Sequence, residues 1–418
     1  MILIAEKINT KKLAHDHWIW LSKKIRYYDD EETLKKETES KTAQKNLALR
    51  DILGPAIYKN LEKIITKPLN DLINLKNDAN YAVLFPPSRE KLDKLKEALD
   101  IATADWQNKV NALKKINRKD PNKKILEAAK KHSNEVKKLK KKEFKTEQKA
   151  YKKDYKKYLK ATTRTIKITE KTKDNKPKKF PTKIKVNLED LLCYGKLHNS
   201  SDDWNANVLC DKLSVSVCPY CNRQYITVVK KNEDKWVSSA QIDHFLPKSL
   251  YPLFSCSFFN LIPSCYCCNH GKSNNTSITI HPYTEKFGDD GLFCLDYIEN
   301  DNNIDSLDLD NPDHIILHIK IKPDSPLKEK IENSIDVFHL NDLYNAHHVE
   351  IKDFILRYRS FKKARLEDYG KLELDLSEKE MEDLLLGFPL GLGDAEYPFH
   401  KMRSDLYTQL KTAETTHP

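Results

Sequence analysis

The residues most able to do chemistry lie between positions 218 and 272. Two Cys-x-x-Cys pairs, Cys218 with Cys221 and Cys265 with Cys268, enclose this stretch. Each pair forms a turn whose sulfur atoms converge, so two pairs complete the tetrahedral, four-thiolate shell of a structural zinc ion. A bound metal ion replaces the hydrophobic core that so short a segment cannot build. Buried or redox cysteines are the alternative, and Cys267 is a substitute for either member of the second pair.

An aspartate and a histidine stand side by side between the two pairs, in the run QIDHFLPKS. Hydrolysis of a phosphodiester needs a divalent metal ion that polarises the phosphate and a base that takes a proton from the attacking water. Successive side chains of a strand face opposite ways, so Asp243 and His244 can serve one site only where a strand ends. Pro247 is typical of such an exit. The pair predicts a hydrolytic centre; a zinc ribbon that only binds nucleic acid is the alternative.

Two strands are predicted just ahead of this pair. The β-branched runs favour strands over Ile226 to Val229 and Trp236 to Ile242, joined by the polar turn KKNED. This arrangement places His244 at the end of the second strand. Arg223 and Lys248 flank the strands and are candidate contacts to phosphate.

In their order and spacing, the motifs of residues 218 to 273 resemble those of a ββα-metal, or HNH, endonuclease of the zinc-ribbon kind. The matching pattern is Cys-x-x-Cys, Asp-His, Asn, and Cys-x-x-Cys-Asn-x-x-Lys. The resemblance implies that Asp243 binds a catalytic Mg2+ or Mn2+ ion and that His244 is the general base. It also implies that Asn260 braces the ββ finger through backbone bonds, and that Asn269 is the second metal ligand at the start of the helix.

Two further residues belong to this resemblance. Lys272 matches the lysine that contacts phosphate. His270 departs from the pattern, because it lies next to Asn269 and is an alternative metal ligand in its place.

The C-terminal half also resembles, over a looser pattern, the HNH subunits of bacterial anti-phage systems such as Septu, which act beside an ATPase. The pattern runs from NLIPSCYCCN through FHLNDLYNAHHVEI. This resemblance implies a nuclease effector of anti-phage defence that cuts DNA and has an ATPase or another defence subunit as partner. Two alternatives stay open: a subunit that binds nucleic acid without cutting it, and a nuclease active only with its partner.

Positive charge is concentrated in residues 121–185. They hold 25 Lys and Arg against 7 Asp and Glu, whereas the whole chain carries +11. Tyr151, Tyr155 and Tyr158 recur at helical spacing within the segment. Lysines surround these tyrosines, namely Lys152, Lys153, Lys156 and Lys157. A helix of this kind binds phosphates without reading sequence; a solvated helix packed by its tyrosines is the alternative.

The predicted fold class is α+β, mostly α, with a zinc-stapled ββα-metal module flanked by helical regions. Apolar residues three and four apart favour helices near the N-terminus, as at Leu61, Ile64, Ile65, Leu69 and Leu72. Two more strands are predicted in GLFCLDYIEN and HIILHIKIKP, separated by an acidic turn region. We divide the chain into a helical region (1–120), a Lys-rich arm and linker (121–190), the nuclease module (191–300) and a mainly helical region (301–418).

Cysteine usage and hydropathy indicate the cellular compartment in which the protein is expected. All nine cysteines lie between Cys193 and Cys294, and an odd number in one region argues against a disulfide framework. No stretch approaches the roughly 18 apolar residues of a membrane span. We therefore expect a cytoplasmic protein without membrane contact, whose partner is nucleic acid.

Overall fold

The structure, a computed structural model, describes residues 3–4, 8–25, 41–115, 123–168, 182–192, 194–198, 203–232, 235–296, 315–370, 377, 379–380, 383, 387, 389, 394 and 396–416. Helices dominate these residues, and their strands form two-stranded antiparallel sheets. The fold is α+β and mostly helical, as the sequence predicts. Among the residues given above, no helix is long and apolar enough to cross a membrane.

Helices form the N-terminal region, as predicted. They are α1 Thr10–Ile25, α2 Lys41–Lys59, α3 Leu61–Ile65, α4 Leu69–Asn77 and α5 Ala79–Ala82. Helix α2 is kinked where Gly54 adopts a φ of 75° just before Pro55, a backbone conformation that glycine reaches without steric cost. The predicted apolar face is buried at Leu61, Ile64, Ile65, Leu69 and Leu72.

A long helical hairpin follows, made of α6 Glu90–Lys115 and α7 Lys123–Thr162. Its helices run antiparallel, because Lys91 pairs with Glu147 near one end and Lys109 bonds to Ser133 farther along. At 1.5 Å per residue, the 40 residues of α7 extend about 60 Å. The buried residues of the two helices are few: Leu92, Ala102, Ser133 and Thr162. Solvent therefore reaches most of the hairpin.

The chain then returns through a short sheet of β1 Thr163–Ile168 and β2 Thr182–Asn187. Within the Lys-rich arm and linker predicted over 121–190, residues 169–181 lie outside the described residues, and β2 begins at Thr182. Helix α8 Leu188–Leu191 starts with a capping box between Asn187 and Asp190. A 3-10 helix at Tyr194–His198 and helix α9 Ala206–Leu213 lead into the cysteine-containing module.

The strands of the module differ from the prediction. Strands β3 Val228–Asn232 and β4 Lys235–Ser238 form a hairpin, and β5 Gln241–His244 is a separate strand paired with β6 Leu261–Ser264. The single strand predicted over residues 236–242 is therefore wrong, although a strand does end at His244. The ladder breaks because the Ser238 hydroxyl accepts a hydrogen bond from the amide of Ala240, 3.1 Å away, a local alternative to strand pairing.

Strand β6 was absent from the prediction because all four of its residues are buried. It has no alternation of polar and apolar side chains by which a strand is recognised. Helix α10 Tyr266–Lys272 follows β6 directly. The order along the chain from Gln241 is thus strand, strand and helix.

The C-terminal region combines one more sheet with helices. Strands β7 Gly291–Leu295 and β8 Leu317–Ile321 pair antiparallel, which confirms the two predicted strands. The acidic region predicted between them, residues 301–313, lies outside the described residues. The helices are α11 Lys328–Val337, α12 Leu340–Asn345, α13 His348–Gly370 and α14 His400–Thr416.

One hydrophobic core joins the described N-terminal helices, the module and the C-terminal helices. Its buried residues run from Ile4 to Leu410. Hydrogen bonds join the same parts. Ser257 Oγ donates to Ile64 O at 3.3 Å on the N-terminal side, and Phe399 N donates to Asn222 O at 2.7 Å on the C-terminal side. The module is therefore held from both sides, and the core cluster includes no described residue of the α6–α7 hairpin.

Candidate metal centre and candidate nuclease site

The four predicted zinc cysteines lie together in the core. Their sulfur atoms all lie within 4.8 Å of one another, and all four residues are buried. Zn–S bonds of about 2.3 Å in a tetrahedron set the sulfurs about 3.8 Å apart. The distance between the sulfurs of Cys221 and Cys265 is 3.9 Å. The group could therefore hold a metal ion such as zinc without a change of size.

The backbone around these cysteines forms two turns that converge. Asn222 N donates to Cys218 O at 2.8 Å, and Asn222 itself has a φ of 50°, which asparagine tolerates. On the other side, Cys265 is the N-cap of α10, and its sulfur accepts from Cys268 N at 3.5 Å. Cys267 is only half-buried and lies outside the group of four.

The electrostatics of the group also fit a cation. Burial raises the pKa of the Cys218 thiol well above its usual value. Hydrogen bonds from Cys218, Cys221 and Cys268 lower the pKa of Cys265. Four thiolates cannot be charged together in a buried space without a compensating positive charge. In the described part of the chain, no other group of three or more His, Cys, Asp or Glu side chains is placed to share a metal ion.

Asp243 lies in β5 and is buried, with a side chain that is 4% exposed. Its Oδ2 accepts a hydrogen bond of 2.7 Å from the hydroxyl of Tyr220. The ammonium of Lys272, at the end of α10, lies 3.2 Å from Oδ1 and 3.0 Å from Oδ2. A carboxylate offers about four lone-pair sites, so these contacts leave little capacity for a metal ion at Asp243.

His244 ends β5, and a single backbone contact sets its orientation. Its Nε2 lies 3.0 Å from Ser255 O. A carbonyl only accepts, so Nε2 carries the hydrogen and Nδ1 is left as the basic nitrogen. Burial, with the positive charges of Lys248 and Lys272 and with His198, lowers the pKa of His244 to about 3. The imidazole is therefore neutral near pH 7, the protonation state in which it can accept a proton.

Asn260 organises the loop that follows β5. Its Oδ1 accepts from Leu246 N at 2.6 Å, and its Nδ2 donates to Leu246 O and Phe254 O at 3.1 and 3.0 Å. Its own carbonyl accepts from Phe245 N at 2.9 Å. The side chain is fully buried. These backbone contacts are the kind that the resemblance implies for Asn260.

The two candidate ligands of α10 have different surroundings. Asn269 is partly buried, and its Nδ2 donates to Gln241 Oε1 at 2.7 Å, which ties the helix to the first residue of β5. His270 is exposed, and its ring stacks on that of Tyr266 at 5.4 Å. Asn269 thus contacts the strand that carries Asp243, whereas the described contact of His270 is within its own helix.

Three predicted phosphate contacts lie in different environments. Lys272 is 2% exposed and also donates to His244 O at 2.7 Å. Arg223 is 8% exposed, and its Nη1 lies 2.6 Å from His347 Nε2. Burial does not agree with a phosphate contact for either side chain, because a strand of nucleic acid cannot reach them. Lys248 is partly buried, with its Nζ 5.1 Å from the centre of the Tyr194 ring.

The predicted basic arm is helix α7. Lys152, Lys153, Lys156 and Lys157 are all exposed on it. Tyr151, Tyr155 and Tyr158 form the expected stripe, with ring centres 5.8 and 5.7 Å apart in sequence order. Helix α7 holds 16 lysines against 5 acidic residues, so its surface suits a polyanion.

Sequence reasoning missed several residues that touch this site. Tyr220 lies inside the first cysteine pair, and its position between two candidate zinc ligands is a signal in the sequence. Ser255 contributes a backbone carbonyl, for which residue type gives no signal. Tyr194 and His198 lie in the 3-10 helix ahead of α9, and the Tyr194 ring is 4.4 Å from that of His244.

Part of the chain resembles a phage protein. The protein ea31 of Escherichia phage lambda is 45% identical to it over 113 residues. The match covers 24% of this chain and 32% of the phage protein, too small a share to place the chain in a family. No protein-family profile and no solved structure matches the chain.

Proposed function

We propose that this protein is a metal-dependent HNH endonuclease that hydrolyses phosphodiester bonds in DNA. The observation that carries the proposal is the arrangement of His244 at the end of β5. Its Nε2 is fixed by Ser255 O, its Nδ1 is left as the base, and Asp243 is its neighbour. The order β5, β6 and α10 agrees with a ββα element, and the cysteine group brings the start of α10 next to the turn at Cys218 and Cys221.

In this proposal, His244 takes the proton from the attacking water through Nδ1. The hydrogen bond to Ser255 O keeps the imidazole in the tautomer that this step needs. The buried Asn260 holds the loop from Phe245 to Phe254, and so holds the position of Ser255. The geometry around His244 is thus fixed before substrate binds.

Asp243 and Asn269 are the residues that would hold Mg2+ or Mn2+. When bound, this ion would polarise the phosphate and stabilise the leaving oxygen. Two protein ligands suit Mg2+, which keeps several waters and takes further oxygens from the substrate phosphate. Asp243 is only 3% exposed, so an ion could contact both its carboxylate and a substrate phosphate only if the ammonium of Lys272 moves away.

The zinc ion proposed for the four cysteines has a structural role, because four thiolates leave no open position for substrate. Its two cysteine pairs lie just ahead of the β3–β4 hairpin and at the start of α10. Zinc would therefore close the segment that carries Asp243, His244 and Asn269. We further propose that the nuclease serves bacterial anti-phage defence, on the looser resemblance to subunits such as those of Septu.

A supercoiled-plasmid assay tests the nuclease function. We expect wild-type protein with Mg2+ or Mn2+ to nick or linearise the plasmid, and neither the EDTA control nor His244→Ala to do so. The matched control is His15→Ala, because His15 is an exposed histidine paired only loosely with Glu62 at 3.5 Å. Equal cleavage by wild type and His244→Ala would reject the role of His244.

An inactive wild-type chain would favour a second candidate, a subunit that binds nucleic acid and cuts only with a partner. The exposed lysines of α7 support the binding part of this candidate. Adding a partner ATPase to the same assay distinguishes a nuclease that needs its partner from a subunit that only binds nucleic acid. Cleavage that appears with the partner indicates a regulated nuclease, and continued inactivity with tight DNA binding indicates a binding subunit.

A further inference from the structure

Tyr194 has a central position beside the proposed base. Its ring is 9% exposed and lies 4.4 Å from the ring of His244. The His198 ring meets it edge-on at 5.2 Å, and His198 Nε2 lies 3.1 Å from the Tyr194 hydroxyl. Lys248 Nζ lies 5.1 Å from the ring centre. One buried aromatic ring thus brings His198 and Lys248 next to His244.

The three cationic or potentially cationic groups are close enough to affect one another. Burial, and then the charge of Lys248, lowers the pKa of His198. The ammonium of Lys248 is therefore the positive charge that an anion bound beside Tyr194 would meet.

His198 is the member of this group that solvent reaches most readily. It is exposed, at the end of the 3-10 helix Tyr194–His198. In the tautomer whose Nε2 accepts from the Tyr194 hydroxyl, Nδ1 of His198 carries a hydrogen and can donate to a phosphate oxygen. Lys248 lies in the loop that Asn260 holds by its contacts to Leu246 and Phe254. Two separate segments thus bring the His198 ring and the Lys248 ammonium to the same Tyr194 ring.

We propose that His198 and Lys248 form a phosphate-binding site for a nucleic-acid strand, with Tyr194 as its rigid support. This site lies next to the phosphate attacked by the water that His244 deprotonates. The proposal rests on the proposed nuclease function and adds His198 to it as a substrate contact. The ligand is a backbone phosphodiester, recognised by charge and by hydrogen bonds without reading a base.

Binding and cleavage by the full chain test this proposal. We would measure the affinity for a fluorescent DNA duplex in buffer without added Mg2+ or Mn2+, and then kcat and KM with Mn2+. Loss of one hydrogen bond to a charged phosphate predicts a 10- to 100-fold loss of affinity, roughly. We expect this loss for His198→Ala and for Lys248→Ala, with kcat nearly unchanged. Partial recovery is expected for His198→Gln, which keeps a donor, and His15→Ala is the matched control.

The outcomes separate this proposal from the nuclease function. Wild-type affinity in both His198→Ala and Lys248→Ala overturns the phosphate site, and so does a fall in kcat without a change in affinity. If His244→Ala still abolishes cleavage in that experiment, the nuclease function stands alone. A wild-type chain that neither binds nor cuts DNA removes both. Thermal unfolding of each variant checks that the exposed His198 is not needed for folding.

Discussion

The hydroxyl of Tyr220 donates a hydrogen bond of 2.7 Å to Oδ2 of Asp243. Tyr220 lies between Cys218 and Cys221, so a single side chain links the cysteine group to the proposed metal-binding carboxylate. The Tyr220 ring is itself held by stacking on Phe338, with ring centres 4.4 Å apart. The proposed zinc centre therefore sets the position of Asp243 as well as closing the fold.

The first prediction concerns this link. We expect Tyr220→Phe to raise the Mn2+ concentration needed for half-maximal cleavage severalfold, because Asp243 loses the bond that orients it. Stability should fall by about 1 kcal/mol, as for one buried hydrogen bond. Tyr283→Phe is the matched control, since its buried hydroxyl bonds to Leu261 O at 3.0 Å and does not touch Asp243. An equal metal dependence in both variants would contradict the link.

The second prediction concerns the cysteine group. We expect one zinc ion per chain by elemental analysis. Cys221→Ser should lose it together with the cooperative unfolding transition, because metal binding contributes directly to folding in such segments. Cys267→Ser should keep the metal, since Cys267 lies outside the group of four. Retention of zinc in Cys221→Ser, or its loss in Cys267→Ser, would change the ligand set.

The sequence predicted the cysteine group because the chemistry of four thiolates depends on spacing along the chain, which is visible in one dimension. It also predicted the end of a strand at His244 and the helices of the N-terminal region. The partner of that strand was missed, because β6 is buried on both faces and lacks alternation. The alternation of polar and apolar residues reveals a strand only where one face of the strand is buried and the other is exposed.

The environment of Lys272 could not be predicted for a different reason. A lysine at the end of a short helix is ordinarily a surface residue, and its burial against Asp243 depends on how α10 packs on β5. The same holds for Ser255, whose carbonyl orients His244 whatever its side chain. Contacts of this kind follow from tertiary packing, so residue type and spacing do not show them.

The third prediction separates two roles for Lys272. As half of a buried ion pair, Lys272→Met should cost about 3–5 kcal/mol of stability, because it leaves the Asp243 carboxylate buried without its counter-charge. Lys272→Met with Asp243→Asn should recover part of this loss in urea denaturation. A lysine that contacted phosphate would instead show normal stability and weaker DNA binding, and that result would restore the role implied by the resemblance.

The fourth prediction concerns the lysines of α7. Replacing Lys152, Lys153, Lys156 and Lys157 by Gln should weaken DNA binding and flatten its salt dependence. Each phosphate contact contributes about 0.9 to the slope of log K against log salt, so four contacts contribute at most about 3.6. The slope is measured by anisotropy at several salt concentrations.

A matched set of exposed lysines in the N-terminal helices provides the control. The control variant has four exposed lysines of the N-terminal helices replaced by Gln, which removes the same charge away from α7. They are Lys11, Lys12, Lys59 and Lys63. If both sets reduce the slope equally, the effect follows net charge, and α7 is not a specific arm. Neither set changes Tyr151, Tyr155 or Tyr158, so the packing of these tyrosines does not contribute to the difference between the two slopes.

The fifth prediction concerns stability and pH. His17 is fully buried, with Trp204 Nε1 donating to its Nδ1 at 2.9 Å and its Nε2 2.9 Å from Cys256 O. An indole nitrogen only donates, so a proton on Nδ1 would break that bond. Burial accordingly lowers the pKa of His17 from 6.5 to about 4. Between these pH values the unfolded chain binds a proton that the folded chain does not, so stability falls as pH falls.

This loss amounts to about 1.4 kcal/mol per pH unit, and to about 3 kcal/mol over the whole window. His17→Gln lacks the titration and is less stable than wild type at pH 7, because it loses a buried bond. The difference in unfolding free energy between wild type and His17→Gln should therefore become smaller as the pH falls from 6.5 to 4. Urea denaturation at several pH values measures it. Loss of zinc at low pH affects both proteins and cancels in the difference. A stability difference between wild type and His17→Gln that stays constant from pH 6.5 to 4 would mean that His17 is not held neutral by its burial.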